Sequence, residues 1–279
     1  MPEVAVAMPP LGLAAQAAFS LLSFCLVFSC AANFISFVSL RPLQREKPRP
    51  ETGDAGHYGW SSILQDTRVV EPLSLDLILL GLFILQHSVM ATVTVRKWTS
   101  AWFGVLQRSV YVLCTAAALQ VLMMYWQPVL EGPELWSVRT EPWNSWVVLT
   151  CFIIHVIAWL IIISIALIYD YAELMGVKQV YYHCLSLGDP MALKSQKAQR
   201  LYCHLRHPVF LEFLLVLWVV PALTLDRLLL AAVLSLYLVF GHSLDQQDYR
   251  YLRAQLAKKF EIFSREETFS DPMALNGSR

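Results

Sequence analysis

Charged residues are scarce in this sequence of 279 residues, and their scarcity argues against an ordinary soluble domain. Only 15% of the residues are Asp, Glu, Lys or Arg, whereas 57% are hydrophobic, and the mean hydropathy is +0.51. The 21 basic residues balance the 21 acidic ones, so net charge gives no indication of nucleic acid binding, and none is predicted. The composition predicts a membrane protein with room for several spans of about 20 residues each.

Motifs of soluble enzymes and of metal sites are also absent from the sequence. It has no GxGxxG, GxxxxGK[ST], GxSxG or HExxH pattern. The six cysteines show no CxxC spacing, and four lie in apolar runs, which favours small buried thiols over disulfides. His204 and His207 form a single HxxH, for which two interfacial histidines are the more ordinary interpretation. No metal site is therefore predicted.

Six apolar segments predict an all-α polytopic membrane protein with about six transmembrane helices. Residues 1–244 are predicted to form the multispanning membrane domain, and residues 245–279 an amphipathic C-terminal helix and tail. The fifth segment is short and carries Pro221, so we expect it to tilt or to be partly covered by protein. Five spans is the alternative if one arm of the last hairpin does not cross. The predicted spans lie near residues 11–38, 73–95, 105–126, 146–169, 209–223 and 228–244.

The distribution of basic residues predicts an orientation. With six spans both termini lie on one side of the membrane, and that side carries 14 Lys and Arg residues against 7 on the other. Because basic residues are in excess on the cytoplasmic side, both termini are predicted to face the cytoplasm or the nucleoplasm. Trp126, Trp136 and Trp143 lie around the loop that follows the third span, a placement typical of an interfacial aromatic belt.

Polar side chains within apolar segments are candidates for a site, because each is costly in hydrocarbon unless it faces protein or water. Gln86 and His87 lie in the second span, and Arg108 opens the third. These three residues either share one polar pocket or make separate contacts, and the sequence favours neither interpretation. His155 is alone in the fourth span and is interpreted as a satisfied core histidine.

A second candidate lies at the two ends of the last hairpin. Arg206-His207-Pro208 precedes it, and Asp245-Gln246-Gln247-Asp248 follows it. The first motif is either a basic interfacial anchor with proline in the first helical turn, or a clamp for a carboxylate or another anion. The second is either a polar helix start or a set of acceptors for a cationic, hydroxylated ligand.

The order of these motifs resembles the membrane methyltransferases of the isoprenylcysteine carboxyl methyltransferase type, and more closely the branch with methanethiol S-methyltransferases. In that group an RHPxYxG entry and a later Glu-Glu pair enclose S-adenosylmethionine. The resemblance implies that this chain has the same fold. No catalytic residue is assigned in it. The cofactor-binding candidates that it implies are Gln86, His87, Arg108, Arg206, His207, Pro208, Asp245, Gln246 and Asp248.

Two departures from that pattern predict an eroded site. Phe210 and Glu212 stand where the methyltransferases have tyrosine and glycine, and glycine would let the helix backbone approach the cofactor. Asp245-Gln246 replaces the Glu-Glu pair, which removes a carboxylate. No cofactor is therefore expected. The alternative is an active methyltransferase that uses S-adenosylmethionine and acts on a thiol or a carboxylate.

Over roughly residues 11–260 the chain also resembles the nurim family of multispanning inner nuclear membrane proteins. The stretches 170–176 and 246–253 contribute to this resemblance. It implies a multi-pass protein of the nuclear envelope with a structural, interaction or ligand-binding role on a degenerate methyltransferase scaffold. The implied partners are the lipid bilayer and nuclear envelope or lamina proteins.

Overall fold

Helices account for nearly all of the computed structural model, and the predicted all-α polytopic class is confirmed. The structure describes residues 12–44, 66–129, 133–138, 143–190, 192, 194, 209–242, 253, 256 and 257. Its helices are α1 (Leu13–Ile35), α2 (Thr67–Ala91), α3 (Val93–Phe103), α4 (Gln107–Tyr125), α5 (Trp143–Ile168), α6 (Tyr171–Leu174), α7 (Val177–Cys184), α8 (Phe210–Trp218) and α9 (Leu225–His242). The first helix continues through a π-helical segment, Ser36–Leu40, into Arg41–Gln44.

Four described helical segments are long and apolar enough to cross a membrane: Leu13–Leu43, Thr67–Ala91, Val93–Tyr125 and Trp143–Ile168. They overlap the first four predicted spans. The third segment bends at Gly104, whose φ of +53° separates α3 from α4. The five cysteines in the described residues are all free thiols.

The last hairpin differs from a pair of full-length helices. Within the predicted fifth span, α8 has nine residues, or about 14 Å of rise, roughly half of the hydrocarbon thickness. The helix ends before Pro221 because proline disfavours helical backbone in the residue that precedes it. Ala222–Leu223 (β2) then pairs antiparallel with Trp136–Ser137 (β1), and α9 returns with 18 residues. The extended end of the hairpin is covered by protein, with Leu223 fully buried. The count of six spans stays a prediction.

Helices α1 and α4 pack side by side in the same direction. Ser23 Oγ donates a hydrogen bond to the Ser109 carbonyl at 3.1 Å, and Cys30 Sγ donates to the Ala116 carbonyl at 3.2 Å. Ser20 and Ser109 place their hydroxyl oxygens 3.4 Å apart. Small side chains allow this close approach, and their hydrogen bonds satisfy groups that hydrocarbon could not.

Buried polar residues join the helices at the end of the bundle where β1 and β2 lie. Asp76 in α2 is fully buried, and its carboxylate accepts a hydrogen bond from the Gln127 backbone N–H at 2.8 Å. The Asp226 carboxylate at the start of α9 accepts from Trp126 Nε1 at 3.3 Å. Trp126 is therefore a buried contact whose N–H helps to satisfy a buried carboxylate, and the interfacial belt of tryptophans stays a prediction.

Arg227 links α9 to the π-helical segment of α1. Its guanidinium donates to the Phe37 carbonyl at 2.7 Å and lies 4.8 Å from the centre of the Phe37 ring. Arg227 is 8% exposed and acts electrostatically on Asp76. The cation therefore compensates buried carboxylate charge while it satisfies a backbone carbonyl.

Replacement of Arg227 by alanine is expected to destabilise the protein strongly. The change removes a buried cation beside Asp76 and Asp226, a loss that costs about 3 kcal/mol or more. Arg41→Ala is the matched control, because Arg41 also lies over the Phe37 ring, at 5.6 Å, but is exposed. Thermal unfolding of the purified variants measures the effect. Equal melting temperatures for the two variants would contradict the role assigned to Arg227.

Candidate functional site

An aromatic and cationic cluster lies inside the bundle at the end where α1 begins. The His87 ring stacks on Phe83 with centroids 6.0 Å apart, and His87 Nδ1 lies 3.2 Å from the Tyr111 hydroxyl. Tyr237 from α9 meets the same imidazole edge-on at 6.2 Å. The Arg108 guanidinium lies 5.4 Å from the centre of the Tyr111 ring. Residues from α2, α4 and α9 therefore converge on one polar cluster.

Two of the three residues considered for a shared pocket are brought together. His87 and Arg108 both contact Tyr111 and line the same cavity. Gln86 instead donates from Nε2 to Met90 Sδ at 3.0 Å, one helical turn along α2, and does not line that cavity.

The cluster lines one end of a cavity among the helices, called the inner cavity, of about 530 Å³, which is partly open on the side of the exposed Ala31. The size is that of a pocket for a small organic ligand or part of a lipid. Apart from the cluster and Thr115 the walls are almost entirely apolar. They include Val27, Ala31, Phe34, Leu119, Trp159, Phe213, Leu217, Leu230 and Leu234.

A larger and more polar groove of about 1160 Å³ adjoins the cavity. Arg108 and Leu174 line both spaces. The polar residues of the groove include Arg96, Gln107, Glu173, Gln179, His183 and Asp189. An amphipathic molecule could thus have an apolar part among the helices and a polar part in contact with Arg108.

A strap, residues 169–190, lies against the cluster and carries α6 and α7. Arg108 Nε donates to the Leu174 carbonyl at 2.8 Å, which fixes the strap to the start of α4. The Lys178 ammonium forms a hydrogen-bonded ion pair with Asp170; this contact lowers the pKa of Asp170 and raises the pKa of Lys178 from their ordinary values. Glu173 is buried and lies 2.7 Å from the Lys194 ammonium.

Gly176 allows the closest approach of the strap to α4. Its φ of +87° is in the region that favours glycine. A Cβ at this position would lie 2.5 Å from Ser109 Oγ and 2.6 Å from the Ser109 backbone nitrogen. Only glycine therefore fits between the strap and the helix that carries Arg108.

Six of the sequence candidates lie outside the residues that the structure describes. They are Arg206, His207, Pro208, Asp245, Gln246 and Asp248. His155 is almost fully buried, and its Nε2 contacts the Val219 carbonyl at 2.8 Å, while its Nδ1 has no hydrogen-bond partner. Glu212 lies in the first turn of α8, where its Oε2 is buried without a hydrogen-bond partner.

Sequence reasoning missed several of the polar residues that join the elements. Asp76 and Glu173 could have been noticed, because a carboxylate within or beside an apolar run requires a protein partner. Tyr237 gave no comparable signal, since a tyrosine in a span is more often an ordinary packed residue. Its role follows only from the contact of α9 with α2.

Replacement of Gly176 by alanine is expected to displace the strap. The positive φ costs about 1–2 kcal/mol for a non-glycine residue, and overlap with the Ser109 backbone adds roughly 1–3 kcal/mol. Gly188→Ala is the control, because Gly188 has a φ of +83° but nothing within 4 Å of its would-be Cβ. Hydrogen exchange of the strap amides measures the effect. Strap exchange that increases equally in both variants would show that the close approach is unimportant.

Comparison with known proteins identifies the family of this chain. The chain is 58% identical to bovine (Bos taurus) and to human (Homo sapiens) nurim over 248 residues, covering 89% of this chain and 94% of each relative. It is 51% identical to zebrafish (Danio rerio) nurim over 245 residues, covering 88% of this chain and 89% of that protein. No protein-family model and no solved structure matches it. With these relatives and its membrane-length apolar helices, the chain belongs to the nurim family and is a multipass membrane protein.

Proposed function

We propose that the protein is a non-catalytic, ligand-binding component of the inner nuclear membrane, built on a degenerate methyltransferase scaffold. The observation that carries this proposal is the inner cavity, whose apolar walls end in the cluster of His87, Arg108, Tyr111 and Tyr237. Its ligand is an amphipathic, lipid-like molecule.

The composition of the cavity supports a lipid-like ligand. Its walls provide burial for a hydrocarbon chain, which contributes about 25 cal/mol per Å² of apolar surface removed from water. At the polar end, the Tyr111 hydroxyl lies 3.2 Å from His87 Nδ1 and the Tyr237 hydroxyl 3.1 Å from Ser88 Oγ. Each hydroxyl oxygen can also accept a hydrogen bond from a ligand, and the Arg108 cation suits an anionic group. A chain with one polar end matches both parts, whereas a wholly polar ligand would leave the apolar walls unused.

A photoreactive diazirine fatty acid is expected to label the cavity of the purified protein. Labelled peptides identified by mass spectrometry should include residues around Tyr111 and Phe213. Ala31→Phe places a ring in the cavity and should reduce this labelling about tenfold, equivalent to about 1.4 kcal/mol of binding free energy. The control is Ala32→Phe, at the neighbouring residue of α1, which is exposed like Ala31 but does not line the cavity. Labelling confined to lipid-facing residues, and equal in the two variants, would contradict the proposal.

The location at the inner nuclear membrane rests on the family resemblance. Because most of the chain consists of membrane helices and short connections, we propose that retention depends on the folded helix bundle. A fluorescent fusion of residues 245–279 to an unrelated membrane anchor should therefore not concentrate at the nuclear rim, whereas the full chain should. Rim enrichment of the tail fusion alone would assign the retention signal to the tail.

An S-adenosylmethionine-dependent methyltransferase is the second candidate function. The polar groove beside an apolar cavity favours it, because such an enzyme needs a cofactor space that meets a substrate space. Glu212 argues against it. The residue stands where the related enzymes have glycine, and its carboxylate oxygen is buried and unpartnered in the first turn of α8. The described residues thus fit the cofactor poorly.

Binding of S-adenosylmethionine is expected to be negligible in the parent and detectable in the double variant Glu212→Gly/Gln246→Glu. The variant removes the misplaced carboxylate and restores the Glu of the related pattern, whose charge-assisted hydrogen bond contributes about 1.5–3 kcal/mol. The combined difference is roughly 100-fold or more in affinity. Titration calorimetry measures it, with each single variant as a control. Micromolar binding by the parent, together with methyl transfer to a small thiol, would favour the enzyme instead.

A further inference from the structure

The basic side of α3 forms a recess that is separate from the inner cavity. Val93, Arg96, Lys97 and Ser100 recur at intervals of three and four residues, which places them on one side of the helix. Together with Gln107 they line a recess of about 480 Å³. Arg96 and Lys97 are both exposed.

The opposite side of α3 is aromatic. Trp98 and Trp102 are 61% and 41% exposed, and their ring centres lie 5.9 Å apart. The helix follows the membrane-length helix α2 directly after Thr92, whose hydroxyl accepts a hydrogen bond from the Val95 N–H. Exposed tryptophans at the end of a span are typical of the headgroup level of a bilayer. The helix α3 therefore has the pattern of an interfacial amphipathic helix.

Neither Arg96 nor Lys97 forms an ion pair with a carboxylate among the residues that the structure describes. Arg96 also lines the polar groove, whose other charged residues are Arg108, Glu173 and Asp189. The recess itself is lined by two cations and by no carboxylate of the described residues, so it is a positively charged concavity at the end of α2.

We propose that this recess binds the phosphate-bearing headgroup of an anionic phospholipid from the surrounding bilayer. Arg96 and Lys97 supply the positive charge, Ser100 and Gln107 supply neutral hydrogen-bonding groups, and Trp98 and Trp102 hold α3 at the depth of the headgroups. The site is distinct from the inner cavity and does not depend on what occupies that cavity.

The test is native mass spectrometry of the full-length protein released from nanodiscs of phosphatidylcholine mixed with phosphatidic acid or phosphatidylserine. The parent should retain the anionic lipid in preference to phosphatidylcholine. The double variant Arg96→Gln/Lys97→Gln should weaken this preference about 30-fold, because each surface basic residue contributes about fivefold to anionic lipid binding. Arg96→Lys/Lys97→Arg, which keeps both charges, should retain the preference.

The control variant Arg41→Gln/Arg68→Gln removes the same number of charges from the other end of the bundle and should leave the preference unchanged. Soluble glycerol phosphate and inorganic phosphate are added to the parent to distinguish a lipid from a free anion. Neither should displace the lipid at concentrations comparable with it. If the glutamine variant fails to fold, lipid retention by the parent is measured at rising salt concentration instead. Retention should fall, because electrostatic binding to this recess weakens with ionic strength.

Equal lipid retention by the parent and a folded glutamine variant would overturn the proposal. Displacement of the lipid by free phosphate would also overturn it and would assign the recess to a soluble anion. A parent without preference for anionic lipids, or with retention insensitive to salt, would exclude the site.

Discussion

The contact between Arg108 and the Leu174 carbonyl positions both spaces of the candidate site. It fixes the strap to the start of α4 at 2.8 Å, and the same guanidinium lies over Tyr111, which is linked to His87. The contact is possible because Gly176 leaves no side chain between the strap and Ser109. Without this close packing the cavity would be open towards the strap, and Arg108 would lack a neutral acceptor in a poorly solvated position.

The two ends of the bundle use buried polar groups differently. At the end with β1 and β2, Asp226 pairs with Trp126 Nε1 and Arg227 with the Phe37 carbonyl, so donors and acceptors bind helices to one another. At the strap end, His87 and Arg108 lie beside a cavity that they help to line. We therefore assign a ligand to the strap end and a structural role to the other end. Polar groups within a membrane are costly unless they bind another protein group or a ligand.

The sequence predicted the long helices well, because length and apolar composition are sufficient to identify α1, α2, α4 and α5. It did not predict the early end of α8 or the pairing of Ala222 with Ser137, which depends on a partner more than 80 residues away. The proximity of His87 and Arg108 was one of two open interpretations, since periodicity along one helix does not say which helix is its neighbour. Arg206 and Asp245 lie outside the described residues, so their clamp stays a prediction.

A density map of the full-length protein in lipid nanodiscs would show directly whether the inner cavity holds a ligand. We expect Arg108 against the Leu174 carbonyl and elongated density in the inner cavity, with its polar end near Tyr111 and Tyr237. A collapsed cavity in which Phe213 and Leu230 pack against α4 would contradict this expectation, because no space for a ligand would then remain beside His87.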